Sequence, residues 1–137
     1  MNDFLDKVKQ EISSTLALDF DGVLHKNSKG YHNGTIYDDP LSGTKEALDF
    51  LSKKYRLVIY TCKLSPERPL VDGKNAEQMI WEWLKKHNIY QYISSMTYKK
   101  PRAALYIDDK AIRFDNWKDA IKDIEKFGNI NGDLSKF

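Results

Sequence analysis

The chain has 137 residues, 41% of them hydrophobic and 31% charged, which suits one domain with a core of its own. Lys and Arg total 22 against 20 Asp and Glu, a formal charge of +2, so neither a nucleic-acid coat nor a polybasic membrane binder is indicated. A single cysteine, Cys62, excludes an internal disulfide. No apolar run approaches the length of a membrane span, and residues 1–10 lack the apolar centre of a signal peptide. The expectation is a cytoplasmic protein with no membrane partner, its oligomeric state open.

Phe4, Leu5, Val8 and Ile12 fall at helical spacing and predict a short amphipathic helix over 3–13. Residues 15–20 read as a first strand, apolar on both faces and therefore central. Within 22–40, Asn33-Gly34 between Tyr31-His32 and Thr35-Ile36 is a hairpin signal and predicts a small β-flap. Ser42 is placed to cap a helix with Ala47, Leu48, Leu51 and Tyr55 along one stripe. Residues 56–61 read as a second buried strand, and 62–74 as a long loop.

Asn75 and Gln78 have the spacing of a capping box, ahead of a helix whose apolar side is Met79, Ile80, Trp83, Leu84 and His87. Residues 92–97 and 103–107 read as third and fourth strands. Asp115 is placed to cap a last helix carrying Trp117, Ala120, Ile121, Ile124 and Phe127, with Gly128 as its stop. Strands alternating with amphipathic helices imply βαβ units and a mostly parallel sheet. No linker divides the chain, so one domain is expected over 1–137: an N-terminal helix to residue 14, a core over 15–127 and an unassigned tail over 128–137.

The polar residues that end the strands carry the chemistry. Asp19 and Asp21 follow an apolar run at i, i+2, where an extended chain points both to one side. Two like charges this close need a cation or a shared proton. Thr61 ends the second strand and Asp108-Asp109 the fourth, with Lys99 and Lys100 just before it. Parallel strands joined by right-handed crossovers bring such ends to one edge, where open α/β sheets bind ligands. Carboxylates suit Mg²⁺, while a hydroxyl and an ammonium suit phosphoryl oxygens.

Asp19-Phe20-Asp21-Gly22-Val23, Val58-Ile59-Tyr60-Thr61, Lys100-Pro101 and Tyr106-Ile107-Asp108-Asp109 resemble, in order, the four motifs of the haloacid dehalogenase superfamily of phosphohydrolases. The resemblance implies a three-layer, Rossmann-like α/β fold. Asp19 would be the nucleophile, forming an aspartyl-phosphate, and Asp21 the general acid and then base. Thr61 would hold a phosphoryl oxygen and Lys100 would offset charge. Mg²⁺ would be bound by Asp19, Asp108 and the backbone carbonyl of Asp21, with Asp109 direct or through water. Lys99 is the alternative to Lys100.

Neither 22–40 nor 62–99 has room for a cap domain, so a capless member with an open site is expected. Such a site suits a bulky or exposed phosphate, although a flap or loop can cover a small one. The phosphorylated substrate stays open among a metabolite, a nucleic-acid end and a phosphoprotein. Lys63 and Arg68 on the long loop, with Lys99, are the candidate substrate contacts; the simpler expectation for loop lysines and arginines is a solvated charge. His25 and His32 read as exposed loop histidines, and Cys62 as a small hydrophobe after a buried strand. The alternative function is a non-catalytic phosphate- or partner-binding module on the same fold. A phospho-acceptor receiver domain fits less well, since residues 94–97, where its aspartate belongs, are Ser-Ser-Met-Thr.

Overall fold

A computed structural model describes residues 2–128; the tail over 129–137 lies outside the described residues. Strands β1 (Thr15–Leu18), β2 (Arg56–Tyr60), β3 (Ile93–Thr97) and β4 (Leu105–Ile107) form one sheet in the order β3-β2-β1-β4. All three neighbouring pairs are parallel. Helices α1 (Asp3–Ser14), α2 (Thr44–Ser52), α3 (Ala76–Lys86) and α4 (Trp117–Gly128) complete an α/β fold. Among the described residues no helix is long and apolar enough to cross a membrane.

β1 is central, paired on both sides, and all four of its residues are buried, as its unbroken apolar run requires. Leu18 is in register with Ile59 of β2 and with Ile107 of β4. The residues that follow these three partners therefore emerge along one edge of the sheet. The core is built from Leu16, Leu18 and Phe20 at β1, Leu57 and Ile59 on β2, and Ile80, Trp83 and Leu84 on α3. β4 is an edge strand with all three residues exposed.

Several local expectations are corrected. The segment 22–40 forms no hairpin: only isolated bridges join Asp21 to His25 and His25 to Pro40. Two residues on either side of Asn33-Gly34 are too few for a ladder, and the Asn33 side chain instead closes its own turn by accepting from Thr35 N–H at 3.1 Å. The Tyr37 hydroxyl gathers the loop, accepting from Lys29 N–H at 2.7 Å and donating to the Gly30 carbonyl at 2.6 Å. Trp83 Nε1 pins the loop to α3 by donating to the Asp38 carbonyl at 2.9 Å.

Helix ends also differ. α2 starts after Gly43, whose φ of 85° is left-handed, and no side chain caps it; Ser42 does not. α4 is capped by Asn116, which accepts from Asp119 N–H at 2.9 Å, in place of Asp115. On α4 Ala120 is buried, while Trp117 and Phe127 stand exposed. The Asn75–Gln78 capping box of α3 is complete in both directions, each bond at 2.9 Å.

Replacing Asn75 with Ala will lower unfolding stability by about 1 kcal/mol, the usual worth of an N-cap, whereas Ser42→Ala will leave it within about 0.5 kcal/mol. Urea denaturation of the two variants checks the contrast. The Thr15 hydroxyl is fully buried with no hydrogen-bond partner among the described residues. Thr15→Val fills the same space without the orphaned group and will raise stability by about 1 kcal/mol in the same assay.

Candidate active site

The edge defined by Leu18, Ile59 and Ile107 carries the sequence's candidate residues, but it sorts them into two clusters. The chain leaves β1 at Asp19, whose N–H still bonds the Ile107 carbonyl at 2.9 Å. Phe20 N–H then donates to Asp19 Oδ1 at 2.8 Å. Asp19 and Asp21 make different contacts: Asp19 is grouped with Asp108 and Asp109, and Asp21 is bonded to His25 and Lys63.

The first cluster is Asp19, Asp108 and Asp109. One carboxylate oxygen from each lies within 4.8 Å of the others. Asp108 folds back to accept from Lys110 N–H at 2.7 Å, which holds the turn after β4. Asp109 lies against Gly22, whose φ is 88°; a Cβ there would collide with the Asp109 carboxylate. Glycine is required at that position on both counts. Burial pushes the Asp19 carboxyl up to about 6; the Phe20 N–H bond opposes this, and the Asp108 and Asp109 charges add to the rise. Three hard oxygen donors whose charges repel fit a divalent cation such as Mg²⁺.

The second cluster is centred on Asp21. His25 Nδ1 lies 2.8 Å from Asp21 Oδ1, and Lys63 Nζ 3.0 Å from Oδ2. Burial raises the Asp21 carboxyl, but the hydrogen bond from His25 and the charge of Lys63 outweigh it and hold it below the usual carboxylate range. His25 Nε2 accepts from Asp38 N–H at 3.1 Å, which leaves Nδ1 as the ring's donor to Asp21. The carboxylate of Asp21 is thus turned toward two donors and is not among the three oxygens grouped for a metal.

Two of these partners contradict the sequence expectation. His25 is fully buried, stacked near Phe20 and edge-on to Trp83 and Tyr37. Lys63 is buried with 6% exposure and ion-paired, where a solvated loop charge was expected. The turn that brings His25 O to Gly22 N at 2.8 Å carries the ring inward, and nothing in the local pattern announces it beyond the apolar pair Val23-Leu24 before it. Cys62 is exposed rather than packed, because the chain turns into a 3₁₀ segment (Cys62–Leu64) directly after Thr61.

Thr61 is buried, and its Oγ1 accepts from Lys63 N–H at 3.2 Å, capping that turn. Lys100 shares a cavity of about 670 Å³ with Asp19 and Asp108, its Nζ resting 4.8 Å from the centre of the Tyr106 ring. Lys99 does not line that cavity; its Nζ lies over Tyr98. Arg68 and Lys63 line a separate cavity of about 450 Å³. His32 is exposed, as expected. No protein-family model, curated protein or solved structure matches the chain.

The raised pKa of Asp19 sets a signed prediction. Its folded value lies above the ordinary carboxylate value, so the stability it contributes is present at low pH and lost as pH rises through about 6. Asp21, shifted down, acts in the opposite sense at lower pH. Solvent screening of the half-buried Asp19 discounts the effect to about 1 kcal/mol. In chelator at pH 7.5, Asp19→Asn will therefore melt a few °C above the wild type, roughly the shift that 1 kcal/mol produces. The gap will close toward pH 5, and the wild type will show a Mg²⁺-induced rise in Tm that the variant lacks; differential scanning fluorimetry reads all three.

Proposed function

We propose that the chain is a Mg²⁺-dependent phosphohydrolase acting on phosphate monoesters, with Asp19 as nucleophile. The observation that supports this most is the grouping of Asp19, Asp108 and Asp109 within 4.8 Å at the ends of two adjacent parallel strands, with Lys100 lining the same cavity. Mg²⁺, when bound there, offsets negative charge on the transferring phosphoryl oxygens.

In the first half-reaction an Asp19 carboxylate oxygen attacks phosphorus. The new O–P bond replaces the ester O–P bond, and the leaving oxygen takes a proton from Asp21. In the second half-reaction water attacks phosphorus, the bond to Asp19 breaks, and Asp21 recovers a proton as orthophosphate forms. The Phe20 N–H bond fixes the Asp19 carboxylate plane. Thr61, whose oxygen already accepts from Lys63 N–H, has its own proton available for a phosphoryl oxygen. Lys100 adds a positive charge on the Asp19 side.

His25 and Lys63 favour the ionised form of Asp21, which suits its role as base and works against its role as acid. That same pairing is the observation favouring a second function, a phosphate-binding module without turnover. Hydrolysis of p-nitrophenyl phosphate separates them. Turnover will depend on Mg²⁺ and fall by at least about 10³-fold in Asp19→Asn, the loss expected when a nucleophile is removed. Unchanged turnover in that variant would remove Asp19 from the mechanism. Mg²⁺ and phosphate binding without any turnover would select the binding module.

A further inference from the structure

A second cavity, of about 450 Å³, lies between the loop over 62–76 and the end of β3. Its inner end abuts the residues assigned to the phosphoryl group. Lys63, on its wall, bonds Asp21 at 3.0 Å, and Thr97, also on its wall, accepts from Thr61 N–H at 3.0 Å. Its volume falls in the range of small-molecule pockets, about 300–1,000 Å³. Two loops close it. Gly34, with φ at 82°, packs so tightly that a Cβ there would come within 2.9 Å of the Val71 side chain, so the 22–40 loop meets the long loop over the cavity.

The lining is mixed. Met79, Met96 and Val71 supply apolar wall, Glu77 is the one carboxylate of the lining among the described residues, and Tyr31 is 55% exposed. Two cations approach the Tyr31 ring, Lys63 Nζ at 6.0 Å and Arg68 Cζ at 5.7 Å from its centre. Lys63 is already neutralised by Asp21. Among the described residues Arg68 forms no salt bridge within 4.0 Å: one nitrogen makes a 3.8 Å contact to Cys62 Sγ, and the exposed neighbour Glu67 feels the Arg68 charge without closing a bridge to it. The ring holds the guanidinium at the cavity while leaving its fork of donors available.

We propose that this cavity is the leaving-group pocket, and that it selects small phosphate monoesters whose leaving group carries a second anionic group for Arg68. The proposal rests on the phosphohydrolase function and narrows its substrate from three classes to one. Lys63 links the cavity to Asp21, and Arg68 lines the same cavity. A guanidinium–carboxylate contact is worth about 1.5–3 kcal/mol when charge-assisted, which is roughly tenfold to a hundredfold in affinity.

The test compares 3- and 4-carboxyphenyl phosphate with their uncharged carbamoyl counterparts, in the wild type and in Arg68→Gln, by turnover and by calorimetric binding to the same proteins carrying Asp19→Asn. The expected result is a kcat/KM at least about tenfold higher for one carboxylate ester than for its carbamoyl partner, a preference that collapses to about one in Arg68→Gln. Equal kcat/KM for both members of each pair in an active wild type would overturn the pocket and leave the phosphohydrolase function standing. So would a preference that survives Arg68→Gln. If no ester turns over, a carboxylate preference in binding that vanishes with Arg68→Gln keeps the pocket and sinks the hydrolysis. Absent or unselective binding then overturns the pocket as well.

Discussion

Mutual repulsion among Asp19, Asp108 and Asp109 is the constraint around which this end of the molecule is arranged. The parallel register of β1 with β4 leaves no choice: Leu18 and Ile107 are partners, so the next residue of each strand must emerge beside the other. One carboxylate oxygen from each of the three lies within 4.8 Å of the others, and each raises the cost of ionising the next. The fold tolerates it through the Phe20 N–H bond to Asp19 and through the space that Gly22 leaves for Asp109. Asp19, buried deepest of the three in the sheet, carries the consequence as a raised pKa.

Asp21 is held by two donors of its own, His25 and Lys63. Two neighbouring aspartates thus sit in opposite electrostatic settings, one pushed toward the neutral form and one held as a carboxylate. Divergent settings of this kind assign different chemical duties to chemically identical side chains. The cost is structural complexity: a lysine and a histidine must be buried to support one carboxylate, and each needs a partner. His25 has Asp38 N–H behind it, and Asp38 is in turn fixed by Trp83 on α3, so the core of the domain reaches the site through one ring.

The same two loops that flank Asp21 build the wall of the neighbouring cavity. The 22–40 loop contributes Tyr31 and Gly34, and the loop after β2 contributes Lys63, Arg68 and Val71. The Asp21 contacts and the cavity wall are therefore carried on the same short segments. Gly34 sits against Val71 and Tyr31 with φ at 82°, a backbone conformation that favours glycine.

Much of this was legible in the sequence. The alternation of apolar runs with amphipathic stretches, the four strands within one or two residues at each end, and the Asn75–Gln78 cap all follow from local periodicity and hydrogen-bond chemistry, which act over a few residues. So does the placing of Asp19, Thr61 and Asp108 at strand ends. Only the tertiary structure decided how those ends are shared out. Which oxygens of Asp19, Asp21, Asp108 and Asp109 converge depends on the turn after β1 and on the packing of Gly22, not on spacing. The burial of His25 and Lys63 is set by partners 4 and 42 residues away along the chain, at Asp21, and by the aromatic packing of Trp83. A hairpin at Asn33-Gly34 was locally favoured and did not form; the Asn33 side chain accepts from Thr35 N–H, and the Tyr37 hydroxyl ties the preceding residues Lys29 and Gly30 into the loop. Local preferences are worth tenths of a kcal/mol to about one, and burial of a paired charge or an aromatic ring is worth more, so where the two disagreed the long-range contact prevailed.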